Sequence, residues 1–176
     1  MTTTDPDITA ARADLGQWAR NGLIGGVVAG ITFVLFEMIA AALLAGLPAF
    51  FMPLRAISGI ILGMQALDPS FSLVTAAIVG MLTHMALSMI YGVAFGMAVA
   101  MMPALRSSST ILIAAATAVG LGLWLVNFYL IAPAAGWVWF ADANPVVQFL
   151  AHTFFYGSVL GVYLDRVVAS PMRRST

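Results

Sequence analysis

Four polar side chains stand out in a chain that otherwise has little chemistry to offer: Glu37, His84, Asn127 and His152. Each sits inside a long apolar run, where an ionised carboxylate costs several kcal/mol unless it is paired or hydrated. Two imidazoles and one carboxylate are also the donor set that suits a transition metal such as iron. His84, His152 and Glu37 are therefore candidate metal ligands, and the two histidines alone are candidate axial ligands for haem b. The haem reading needs a slot for the macrocycle, which the glycines flanking both histidines could open. A carboxylate beside a histidine can instead pass a proton near neutral pH, which suits proton-linked movement of a small solute. A third reading makes the chain an accessory or scaffold subunit packed on a larger partner through its many Gly and Met residues. The plainest alternative is that the polar groups only bond helix to helix, at roughly 0.6 kcal/mol per contact.

The composition says what must hold these groups. Of 176 residues, 62% are hydrophobic and 8% charged, against roughly 45–50% and 25% in soluble globular domains. Residues 69–105, 107–141 and 143–164 contain no Asp, Glu, Lys or Arg, and residues 21–54 contain only Glu37. A helix needs about 20 apolar residues to cross the hydrocarbon core while satisfying its own backbone. The runs predict an all-α bundle of four transmembrane helices, at about 22–46, 73–102, 110–132 and 145–168. Pro48, Pro69, Pro103, Pro133 and Pro145 fall at or just beyond these ends, where a missing N–H does least harm. Residues 1–21 read as a polar cytoplasmic segment with Trp18 and Arg20 as interfacial anchors, and 169–176 as a cytoplasmic tail. The first apolar run follows about twenty polar residues and is too long for a signal-peptide core of roughly 7–15 residues, so it reads as a retained helix.

Between the first two spans, residues 53–67 are too short to cross. Ile57, Ile60, Ile61, Met64 and Leu67 recur at an approximately helical spacing. A short interfacial or re-entrant helix is expected there, either lying on the surface with Arg55 reaching the headgroups or forming a lid over a cavity between the spans.

Arginine placement orients the bundle, because basic residues stay on the cytoplasmic side. Arg12, Arg20, Arg106, Arg166, Arg173 and Arg174 fall on the side of the termini and Arg55 alone on the other. Both termini are then cytoplasmic, in a bacterial inner membrane. Net charge is zero, which points to no nucleic-acid partner. The lipid bilayer is the expected partner, with a homo-oligomer or larger membrane complex if there is a transport pathway. The chain has no Cys and so no thiolate ligands.

Because successive spans run in opposite directions, Glu37, His84, Asn127 and His152 all fall about 9–17 Å from the same surface at ~1.5 Å per residue. They are expected to form one buried polar layer. Close helix contacts use small residues four apart, and Ala76, Gly80, His84, Ser88, Gly92 and Gly96 form such a stripe. That puts His84 and Ser88 on a packing face. Gln148, His152 and Tyr156 align in the same way near Gly157 and Gly161, and Gly22, Gly26 and Gly30 mark the packing face of the first span. Each half of the chain also pairs an acid or amide helix with a histidine helix carrying a Tyr-Gly pair, THMALSMIYG and AHTFFYG, a pattern expected of a parallel repeat about the membrane normal.

No Gly-Lys-Ser phosphate loop, HExxH pair or nucleophile elbow is present, so no enzymatic reaction is read from the chain. The segments FEMIAAALLAG, PLRAISGIILG, THMALSMIYG and ANPVVQFLAHTFFYG resemble those of small bacterial multi-pass membrane proteins, and are similar in layout to the YagU-like inner-membrane family. The resemblance covers most of residues 22–165 and implies a fold, with no activity and no ligand residue attached.

Overall fold

The computed structural model describes residues 6–169 and Arg173, with side chains from Leu15 onward. The first five residues and the tail arginine Arg174 lie outside the described residues, as does the side chain of Arg12. The chain is helical almost throughout, with no strand among the described residues. Its helices are α1 (Pro6–Ala45), α2 (Met52–Leu62), α3 (Leu73–Met101), α4 (Ser109–Ala134) and α5 (Pro145–Ala169). Four of them, α1, α3, α4 and α5, are long and apolar enough to cross a membrane, the architecture of a multi-pass membrane protein.

Local chemistry sets the ends. Ser72 Oγ accepts from the Thr75 N–H at 3.3 Å and Ser108 Oγ from the Ile111 N–H at 3.2 Å. Asn144 Oδ1 accepts from Val146 and Val147, with Pro145 in the first turn. These side chains satisfy N–H groups that a helix start leaves without partners. Gly46 (φ 87°) and Gly63 (φ 76°) terminate α1 and α2 in backbone conformations that a side chain would strain.

At its other end, α1 runs well past the apolar stretch. It begins at Pro6, so the polar residues before Gly22 continue the span as helix. Trp18 is fully buried and not at an exposed interface, because Gly96 brings the backbone of α3 against the Trp18 carbonyl.

The four spans pack in the order α3, α1, α5, α4. Two contacts are backbone on backbone. A Cβ on Gly26 would strike the Ser88 carbonyl, and one on Gly22 the Gly92 carbonyl; Gly92, in turn, is pressed on Gly22 and Gly26. In the α4–α5 pair, Gly157 meets the Ala116 carbonyl and Gly120 meets that of His152, while Gly161 packs on Ala116 and Ile113. Gly30 lies on the Ser88 side chain and Gly96 on the Trp18 carbonyl. The ends of the row, α3 and α4, have no extended contact, and a gap remains between them.

Helix α2 covers this gap at one end. Its Leu54 carbonyl sits on Gly80 of α3, and the Trp139 indole N–H donates to the Ala56 carbonyl at 2.9 Å, tying α2 to the α4–α5 connection. Arg55 does not reach for a headgroup. It is buried and donates to the carbonyls of Ala66, Asp68 and Phe71 at 2.8–3.0 Å, because a five-donor guanidinium can gather the carbonyls of a turn that has no ladder of its own. Asp68 accepts from the N–H and hydroxyl of Ser70, which holds its exposed carboxyl below the usual carboxylate range.

Two outcomes test this packing. Gly26→Ala is expected to destabilise the protein by about 1–3 kcal/mol through overpacking, read as a lower unfolding temperature in detergent. Gly122→Ala, where a Cβ meets nothing within 4 Å, should leave it equal or higher. Arg55→Ala and Arg55→Lys are both expected to make residues 63–72 protease-sensitive, since one ammonium cannot span three carbonyls; a resistant Arg55→Lys loop would contradict this account.

Candidate functional site

The gap is a cavity of about 1010 Å³ inside the spanning region. Glu37, His84, Ser88, Asn127, Gln148, His152 and Tyr156 all line it. The rest of its wall is mostly apolar and aromatic, with Ile57 and Ile60 of α2 above and Leu87 and Leu123 on opposite sides. Leu82 and Ile131 line it and are also exposed, so the cavity opens sideways between α3 and α4, through residues that belong in hydrocarbon.

The polar groups form a column and not a layer at one depth. Nearest α2, the Gln148 amide donates to the Glu37 carboxylate. One turn along α5, His152 Nδ1 donates to the Gln148 carbonyl at 2.9 Å, and His84 Nε2 donates to the Gly30 carbonyl at 2.9 Å. One turn further, the Tyr156 hydroxyl donates to the Ser88 carbonyl at 2.6 Å. Gln148 to Tyr156 spans eight residues of α5, about 12 Å at ~1.5 Å per residue. Asn127 stands apart on α4, where its Oδ1 accepts from the Tyr91 hydroxyl at 3.1 Å. That bond bridges the two unpacked helices.

Two π-helical stretches place these residues. Residues 127–131 begin at Asn127, and residues 151–158 carry His152 and Tyr156. Such turns are rare and occur mostly as short bulges, often at functional sites. Here the widened turn frees the Phe155 carbonyl, which accepts from Thr32 Oγ1 of α1 at 2.7 Å.

The metal reading does not fit this geometry. Among the described residues, no three His, Asp or Glu side chains stand close enough together to hold an ion. Phe33 packs against both imidazoles, with ring centroids 5.0 Å from His84 and 4.7 Å from His152. A haem slot is not formed by the flanking glycines either, since Gly80, Gly92 and Gly157 are each filled by a neighbouring backbone.

Phe33, Tyr91 and the aromatic roof formed by Trp139 and Phe140 also line the cavity, a role the sequence reading did not assign to them. Phe33 had a signal, lying one turn before Glu37 on the same helical face. The indole of Trp139 had none, because its partner is a carbonyl 83 residues away.

A helical membrane protein with a laterally open cavity and an internal polar column is the class that this fold defines. No family model, curated protein or solved structure matches the chain, so its function has to be argued from the cavity itself.

The absence of cysteine allows a direct check of the cavity, because single-Cys variants need no background removed. Thr83→Cys and Asn127→Cys should react with a small membrane-permeant maleimide, whereas Ala116→Cys, at the closed α4–α5 contact, should not. Equal protection at all three positions would mean that the cavity is filled.

Proposed function

We propose that this chain binds a small solute in the cavity between α3 and α4 and moves it across the membrane in exchange for a proton at Glu37. The observation that carries this reading is the cavity itself, whose wall holds the one carboxylate in the middle of a span together with both histidines of the chain. The polar groups do bond helix to helix, His84 to Gly30, Tyr156 to Ser88 and Gln148 to Glu37, but they also border open space, which bonding alone does not require. Metal or haem binding has less support, since the described residues include no group of three His, Asp or Glu side chains that could hold an ion, and the glycines near the histidines are closed by neighbouring backbone. An accessory role is compatible with the apolar outer faces but leaves the cavity without a purpose.

The proposal includes a setting. The excess of arginine on the side of the termini favours a bacterial inner membrane with both ends cytoplasmic, so that α2, which covers the cavity, faces outward. Four spans make a thin wall for a pathway, which favours a homo-oligomer or a larger membrane complex.

The test is proton movement in pyranine-loaded proteoliposomes challenged with a panel of cationic, neutral and anionic amphiphiles. At least one class should drive a saturable pH change that falls ten-fold or more in Glu37→Gln, with reconstitution matched by immunoblot. Saturable binding without any pH change would reduce the reading to a binding protein. Flux unaltered by Glu37→Gln would remove the carboxylate from it.

A further inference from the structure

The internal hydrogen bonds decide what the cavity offers a ligand. His84 Nε2, His152 Nδ1 and the Tyr156 hydroxyl each donate to a backbone carbonyl, the Tyr91 hydroxyl donates to Asn127 Oδ1, and the Trp139 indole donates to Ala56. A neutral imidazole that donates through one nitrogen is an acceptor at the other. Bonding to carbonyls therefore fixes both tautomers, leaving His84 Nδ1 and His152 Nε2 as acceptors. Glu37 uses one carboxylate oxygen on Gln148 and keeps the other. Those donors are spent inside the protein, while Asn127, Asn144, Thr83, Ser88 and Trp137 also line the cavity with donors of their own; the hydrogen-bonding character is mixed, and it is the charge of the lining that selects. No Lys or Arg lines the cavity, whereas two carboxylates do, Glu37 and Asp142. Phe33, Phe128, Trp137, Trp139 and Phe140 add aromatic faces, which attract cations.

We infer that the solute is a protonated lipophilic amine. This rests on the proposed solute-binding role and names its chemical class. An ammonium head donates to Glu37 and to the remaining histidine nitrogens, neutralises Glu37 in surroundings where a lone charge is costly, and lies against aromatic rings. An apolar body passes between Leu82 and Ile131, through the side that opens toward hydrocarbon. An anion would meet Glu37 and Asp142 with no basic residue to offset them, and a neutral hydrocarbon would leave the acceptors unpaired, a cost that buried polar groups exact when they lose their partners.

The experiment is equilibrium dialysis of the detergent-purified protein against three matched probes: 2-(1-naphthyl)ethylamine, 1-naphthylacetate and 1-ethylnaphthalene. Protein-free micelles supply the background, and Thr83→Trp, which places an indole in the cavity, locates the binding. The amine is expected to bind saturably to wild type, at least ten-fold more tightly than either of the others, and to lose ten-fold or more in Glu37→Gln. His152→Ala, which removes an acceptor while leaving the carboxylate, gives a second reading should Glu37→Gln not purify as a monodisperse species, and should weaken the amine several-fold. If the anion or the hydrocarbon binds as tightly as the amine, and Thr83→Trp abolishes that binding, the amine assignment is overturned while the cavity remains a binding site. Amine binding unchanged in both Glu37→Gln and His152→Ala overturns it as well. If no probe binds wild type above the protein-free micelles, the binding role falls with it.

Discussion

The contact of helix backbones at glycine is the constraint on which the rest of this structure depends. In hydrocarbon, apolar side chains gain little by meeting each other in place of lipid, so helices associate where their main chains can approach closely. Gly22, Gly26 and Gly92 bring α1 and α3 together, and Gly120 with Gly157 does the same for α4 and α5. Two tight pairs result, joined by the packing of α1 on α5. Helices held this closely at a few points must diverge elsewhere. The cavity is where α3 and α4, at the two ends of the row, fail to meet.

The same physics decided what could be read from the sequence. Apolar runs locate hydrocarbon, so the spans and their proline-marked ends were legible. They say nothing about where a helix stops outside hydrocarbon, and so α1 continues unseen through its polar beginning to Pro6. Small residues four apart identified the packing faces of α1, α3 and α5. Those of α4, where Ala116 and Gly120 do this work, lay among too many other small residues to stand out. Each half of the chain pairs consecutive spans through glycine.

The site was legible as a set of residues and less so as an arrangement. Counting residues from the surface placed Glu37, His84, Asn127 and His152 within two turns of depth. It could not show that Phe33 would pack against both imidazoles, nor that Asn127, His152 and Tyr156 would lie in π-helical turns. A widened turn depends on a neighbour able to take the carbonyl it frees, here Thr32, and such partnerships are tertiary. Arg55 teaches the same lesson. Its position invited a headgroup, but the carbonyls of residues 66–71 lie nearer and need donors more.

Arg55 also makes α2 more than a helix resting on a bundle. By gathering three carbonyls from the following turn, it welds α2 and residues 63–71 into one plate. On one edge the plate rests on α3, where the Leu54 carbonyl meets Gly80, and its chain runs directly into the same helix. On the opposite edge it is fastened by a single side-chain hydrogen bond, from Trp139 to Ala56, beside the seat of that indole on Gly59. A plate hinged along one side and latched by one indole on the other has a preferred direction of swing, away from the α4–α5 connection, and the latch is the cheaper of its two attachments to break.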